Sequence, residues 1–335
     1  MQRFINNPDL IVDDLIKGYV KAHKGFIEKS AKNDRVVKRK NSSETRKVGI
    51  VTGGGSGHEP AFLGYVGENM VDAVAVGEVF ASPPAEAFYD AIIEADSGEG
   101  VACLFGNYAG DNMNVKMAIQ MAEEEGVNVK FVTAKDDIAS SLKETSHRRH
   151  GIAGGVYMWK VGGAKAALGG TLDEVIAVAQ KAADNTRSIC VGLSSCTIPA
   201  AGTPNFEIEE GMMEFGIGHH GESGVRVEKL KSAAEIASMM TDALLENFAF
   251  EKGQNLALLL SGLGSTPKME LHVLFDTIEE VLKKQNHCAE MVLIGDYATS
   301  LDMNGVSLSL MRLDSELREL LAYPTKTPGL TIVRS

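Results

Sequence analysis

The sequence predicts an α/β protein of two α/β domains, the first mainly parallel with βαβ connections and the second built on a mixed sheet. Three observations lead there. Short apolar runs alternate with helix-length amphipathic segments through the first half, and that strict alternation is lost in the second. The 335 residues are too many for one average domain and comfortable for two. The chain holds 35 glycines but only 6% aromatics, a mixture suited to folds with many tight strand-to-helix turns.

Residues 7–22 place Ile11, Leu15, Ile16 and Val20 at helical spacing. Residues 47–52 read as a buried strand and 53–57 as the loop after it. A short strand over 72–76, a helix over 84–95 and a strand over 100–105 follow. Residues 114–126 read as a helix, with Gly126 just past its end, and 127–132 as the next strand. Two helices are expected over 155–168 and 171–186, split by Gly169-Gly170. The texture then changes. Strands are expected over 188–193, 255–260, 289–294 and 306–312, and helices over 233–247, 271–285 and 314–322. A boundary near residue 185 gives an N-terminal domain of 1–185 and a C-terminal domain of 186–335.

The formal net charge of −12 repels nucleic-acid phosphates and anionic lipid heads, so neither nucleic acid nor a membrane surface is an expected partner. Residues 35–46 are locally basic and read as a mixed, solvated segment. The four cysteines, Cys103, Cys190, Cys196 and Cys288, form no C-x-x-C and match no zinc spacing, so free thiols in a reducing compartment are expected and no metal site. Residues 1–14 lack the apolar core of a signal peptide and no membrane-length apolar run follows, which predicts a cytoplasmic protein.

Three stretches can carry chemistry. In Gly53-Gly54-Gly55-Ser56-Gly57-His58-Glu59-Pro60, a strand runs into glycines whose N–H groups can converge on an anion or a polar oxygen. It is neither a P-loop nor the dinucleotide fingerprint, and a tight turn is the plainer alternative. In Gly106-Asn107-Tyr108-Ala109-Gly110-Asp111, Asp111 can be a general base, a metal ligand, or simply the N-cap of the following helix. In Glu214-Phe215-Gly216-Ile217-Gly218-His219-His220-Gly221-Glu222, adjacent histidines point apart and do not suit one metal, so one functional histidine or a structural pair remain. No nucleotide-phosphate site stands out in the chain.

Taken together, and in order, several segments resemble the dihydroxyacetone-binding subunit of dihydroxyacetone kinases. They are Ser56-Gly57-His58-Glu59-Pro60 behind the glycines, Gly77-Glu78-Val79-Phe80-Ala81-Ser82-Pro83, Asn107-Tyr108-x-Gly110-Asp111, Thr197-Ile198-Pro199-Ala200-Ala201-Gly202, Met213 to Glu222, Gly262-Leu263-Gly264-Ser265-Thr266-Pro267 and Thr299-Ser300-Leu301-Asp302-Met303. The resemblance implies a subunit that dimerises and holds a small hydroxyketone as a hemiaminal on His220. It implies Asp111 as the base, His58 as its acid–base partner, and a substrate-binding set of Gly54, Gly55, Ser82 and Gly106. The chain itself is expected to bind no cofactor. Mg-ADP or Mg-ATP belongs on a separate nucleotide-bearing kinase subunit, recharged in many bacterial members by a phosphotransferase-system phosphocarrier. The alternative is a non-enzymatic ketose sensor that regulates a transcription factor.

Two departures matter. The family's usual Lys-Asn-Tyr-Thr-Gly-Asp has Gly106 for its lysine and Ala109 for its threonine. A charge and several side-chain atoms are lost beside the site, which points to a larger ketose such as the four-carbon erythrulose. His219 stands where relatives often carry isoleucine.

Overall fold

The computed structural model of the protein describes residues 3–40, 46–248, 251 and 253–333. They divide into two units, one of residues 1–134, 156–182 and 317–335, the other of 135–155 and 183–316. The single boundary expected near 185 is therefore replaced by passages after Ala134, Gly155, Ala182 and Glu316. Only the passage near 183 coincides with a change of sequence texture. The others fall inside ordinary α/β sequence, and tertiary packing alone assigns the flanking segments.

The first unit is built on a six-stranded sheet of β1 (Ile27–Lys29), β2 (Val36–Arg39), β3 (Gly49–Ser56), β4 (Ala73–Val79), β5 (Val101–Gly106) and β6 (Val129–Ala134), in the order β1-β2-β4-β3-β5-β6. The β4, β3, β5 and β6 neighbours pair in parallel, while β1–β2 and β2–β4 are antiparallel. Parallel strands need crossovers; α2 (Ala85–Ala95) carries the chain from β4 to β5 and α3 (Ala109–Glu124) from β5 to β6. Ala87, Phe88, Ala91 and Ile92 of α2 and Val115, Ala118 and Ala122 of α3 bury against Val51, Ala73, Ala75 and Phe105 of the sheet. Leu104 faces the other way. Its carbonyl accepts the Trp159 indole N–H at 2.9 Å from α4 (Gly155–Ala167).

Two expectations change in this unit. Residues 36–39 of the basic segment form a strand in which Val36 and Val37 are fully buried, while Lys38 pairs with Glu94, Arg39 with Asp72, and Arg35 just before the strand with Glu78. Residues 41–45 lie outside the described set. Gly53, Gly54 and Gly55 are not a loop: β3 continues through them and pairs them with Ala75, Val76 and Gly77. The glycines are demanded by close approach. A Cβ on Gly54 would lie 2.1 Å from the Phe62 ring, and one on Gly55 would lie 2.7 Å from the Ala81 nitrogen.

The second unit carries the mixed sheet, β11-β10-β12-β7-β8-β9, made of β7 (Thr186–Gly192), β8 (Met212–Phe215), β9 (Arg226–Lys229), β10 (Asn255–Gly262), β11 (Cys288–Gly295) and β12 (Gly305–Arg312). β10–β11 is parallel and every other pairing is antiparallel. Leu256, Leu258 and Leu260 alternate onto one face and are wholly buried with Leu308 and Leu310 under Ile236 and Leu244 of α6 (Ala233–Phe248) and Leu271 and Ile278 of α7 (Lys268–Lys284). Each such side chain contributes about 1.5–3 kcal/mol of burial, so this face fixes the register of β10. β8 and β9 were not legible in the sequence. They are four residues each, and β9 has the largely exposed pattern of a sheet edge.

Candidate functional site

The first cluster sits where β3, β4 and β5 end, the side on which open α/β sheets bind ligands. Gly54 and Gly55 lie near the end of β3, and Gly106 is the last residue of β5. After β3 the chain turns at Gly57, whose φ of +98° suits glycine, and its N–H donates to both Glu59 carboxylate oxygens at 3.1 Å. That turn delivers His58, which is only 5% exposed. Its imidazole stacks on Phe80 with centroids 5.0 Å apart and planes at 20°, and Phe62 meets it edge-on at 6.4 Å.

Asp111 is not the N-cap of α3. The helix begins at Ala109 with Tyr108 as cap, so Asp111 lies in the first turn, where the helix dipole favours a carboxylate. It is 7% exposed, and its Oδ2 accepts the Ser82 hydroxyl proton at 2.8 Å. A Cβ at Gly110 would stand 2.7 Å from that same Ser82 oxygen, so the glycine keeps the bond possible. Ser82, expected to hold a substrate oxygen, thus also orients the carboxylate. Asn112 bridges Asn107 and the Tyr108 carbonyl, both at 2.9 Å, and ties the segment after Gly106 to the helix.

The second cluster belongs to the other unit and surrounds His220, between β8 and β9. Gly218 N–H donates to the Glu222 carbonyl at 2.9 Å, which closes a tight loop. Glu222 turns back over it: Oε2 accepts the His220 backbone N–H and Oε1 meets His220 Nδ1, each at 2.9 Å. The His220 carbonyl accepts from Asn205 Nδ2 at 2.8 Å, and the His219 carbonyl accepts from Ser300. Burial pushes the Glu222 carboxyl up, but its hydrogen bonds from His220 and the nearby imidazole charge outweigh that and hold it at about 2. It is therefore ionised at neutral pH and can only accept. Nδ1 is therefore the donor in this contact, and the carboxylate fixes the direction of the ring.

His219 is 4% exposed, and burial, then the neighbouring His220, depresses it to about 4. It is neutral at pH 7, which is how an imidazole can be buried there. Sequence reasoning missed Glu222 as a functional group. The signal was present in His220-Gly221-Glu222, because Gly221 at φ +81° reverses the chain and brings residue i+2 back onto the histidine. Among the described residues no group of three or more His, Cys, Asp or Glu side chains is arranged for a metal, and no helix is long and apolar enough to cross a membrane. Cys103, Cys190 and Cys196 are buried free thiols and Cys288 is an exposed one.

The Dak1 domain matches residues 17–329. This chain is a Dak1 family member. It is 40% identical over 328 residues to the dihydroxyacetone-binding subunit DhaK of a PTS-dependent dihydroxyacetone kinase of Listeria innocua, covering 98% of each chain. It is 38% identical to the L-erythrulose 1-kinase of Mycolicibacterium smegmatis over 98% of this chain, and spans 58% of that longer protein. Among solved structures, a dihydroxyacetone kinase operon co-activator, DhaQ, superposes with a TM-score of 0.89 at 30% identity, over 96% of this chain and 98% of that one. The two-domain α/β architecture is thus that of Dak1 proteins.

Proposed function

We propose that this Dak1 chain is the substrate-binding subunit of a hydroxyketone kinase, holding its substrate covalently on His220 while a separate subunit supplies the phosphoryl group. The observation that carries the reading is the Glu222–His220 pair. The carboxylate engages Nδ1, which assigns the addition to Nε2. In that addition the Nε2 lone pair forms the N–C bond and the carbonyl π pair moves onto oxygen, which takes up a proton from solvent. The ring becomes an imidazolium, and ionised Glu222 stabilises it. A polyol has no carbonyl and is rejected by bond chemistry rather than by pocket size.

Asp111 then takes the proton of the terminal hydroxyl as that oxygen attacks phosphorus, with His58 as its acid–base partner. Its burial and its hydrogen bond from Ser82 support that role. Gly54, Gly55 and Gly106 line the strand ends where the substrate is held. Mg-ADP or Mg-ATP resides on the partner subunit. The reading of this chain as one subunit rests on its near-complete mutual coverage with a dihydroxyacetone-binding subunit. That relative is PTS-dependent, which favours recharging by a phosphocarrier. The assembly is a homodimer of this chain working in the cytoplasm. Gly106 and Ala109 favour a four-carbon ketose, and the 38% identity to an L-erythrulose 1-kinase supports that choice.

A second reading has its own observation, the close superposition on a co-activator. A sensor needs the covalent handle but not a base, so the buried, Ser82-oriented Asp111 carboxylate favours catalysis. The test is turnover of dihydroxyacetone and erythrulose with a nucleotide-bearing kinase subunit, alongside peptide-mapped mass spectrometry of the ketose adduct. Adduct on His220 with turnover supports the kinase. Adduct without turnover, using a donor subunit active on its own partner, supports the sensor. Absence of adduct with both ketoses overturns the covalent mechanism.

A further inference from the structure

Phe80 is one of four described non-glycine residues with positive φ, and at +58° it holds a large aromatic in the left-handed region. Glycine or asparagine would adopt that conformation with little strain. The ring must therefore do something that neither could. Its backbone is fixed on both sides: Phe80 N–H donates to the Ser56 carbonyl at 3.0 Å and Ala81 N–H donates to Glu78 at 3.0 Å. Gly55 packs directly beneath, with no space for a Cβ between it and the Phe80–Ala81 peptide. The turn is thus locked to the strand that precedes His58, and the left-handed backbone aims the ring under the imidazole, nearly parallel at 5.0 Å. Strained backbone of this kind persists where surrounding structure over-determines it, and it clusters at functional sites.

We infer that Phe80 is a positioning residue for His58: its face sets the plane of the imidazole, with the Phe62 edge as the second wall, so that the ring nitrogens keep a fixed direction during proton transfer. This deepens the proposed function and rests on it, since it assumes that His58 acts as an acid–base partner. An aromatic face also attracts an imidazolium more than a neutral imidazole, so the platform suits a ring that gains and loses a proton. An aliphatic side chain of similar bulk fills the space but supplies neither the flat surface nor the quadrupole.

The test compares Phe80→Leu, Phe80→Tyr and His58→Asn in the assembled kinase. Adduct formation on His220 is followed separately from phosphoryl transfer, and the His58 ring-proton shift is read by NMR. Phe80→Leu is expected to lower the transfer rate at least tenfold, to leave adduct yield and KM within about twofold, and to remove the ring-current displacement of the His58 signals. Phe80→Tyr restores both. A merely structural role would depress adduct and transfer together and would not be rescued by tyrosine; that result overturns the inference. So does Phe80→Leu with full activity beside an inactive His58→Asn. A fully active His58→Asn instead overturns the role of His58 on which the inference depends, and the NMR shift then reports the stack without a catalytic purpose.

Discussion

The Glu222 carboxylate holds His220 at two points, the backbone N–H and the ring Nδ1, each at 2.9 Å. A charge two residues away thereby decides which ring nitrogen donates. Glu222→Gln keeps the size and removes the charge, so Nδ1 can either donate or accept. Loss of a carboxylate that orients a metal-bound histidine costs ~10–100-fold, and by analogy a fall of that order is expected in the rate of ketose adduct formation, measured by time-resolved mass spectrometry. An unchanged rate would mean that the tautomer is set by something else.

Asp111 and Ser82 separate chemistry from orientation. Asp111→Asn is expected to leave the His220 adduct intact and to lower phosphoryl transfer by roughly 10²–10⁴-fold, the scale of general-base catalysis. Ser82→Ala removes one hydrogen bond to a charged group and should cost about tenfold. Single-turnover kinetics on preformed adduct distinguish the two. Equal losses would assign Ser82 a direct role on substrate.

Asp137 sets a pH dependence. Burial, with repulsion from Asp136 and Glu222 and against the Ala139 N–H, raises its carboxyl from 3.8 to about 7. The folded state keeps a proton that the unfolded state releases, so this group's contribution to stability declines as pH rises from about 4 to about 7 and is flat above. Asp137→Asn should raise the melting temperature relative to wild type at pH 8 and leave it nearly unchanged at pH 4. Comparing variant with wild type at each pH isolates this group from His219, whose depressed value acts in the opposite sense between 6.5 and about 4. Equal shifts at both pH values would show that the effect is packing rather than titration.

Gly54→Ala puts a methyl group against the Phe62 ring. Overpacking of this kind costs about 1–3 kcal/mol, measurable by chemical denaturation. Phe62→Ala alone removes buried aromatic contacts, but combined with Gly54→Ala the two changes should cost less than their sum, because the space vacated accepts the methyl group. Strict additivity would place the clash elsewhere.

Gly106→Lys places a cationic side chain at the end of β5, beside the proposed substrate site. It is expected to shift the ratio of kcat/KM from the four-carbon ketose toward dihydroxyacetone. A wild-type chain that already prefers the three-carbon substrate would remove the specificity argument from Gly106.

The sequence by itself determined the α/β class, most of the helices and long strands, and the family. Those signals are local: the apolar periodicity of residues such as Leu256, Leu258 and Leu260, and short ordered motifs such as Ser56 to Pro60. Tertiary structure decided what depends on distant partners. Gly53–Gly55 read as a loop because glycine is a weak strand former, yet the nearby Phe62 and Phe88 rings and the Ala81 backbone exclude any Cβ there and hold the segment in the sheet. A cap remained an open reading for Asp111 because its hydrogen bond from Ser82 spans 29 residues. The division into units escaped for the same reason: residues 317–335 return to the first unit through pairings such as the Lys160 side chain on the Leu320 carbonyl, 160 positions away. A sequence displays its short-range preferences openly, whereas contacts closed across long loops exist only once the chain has folded and the burial of its core has offset their entropy.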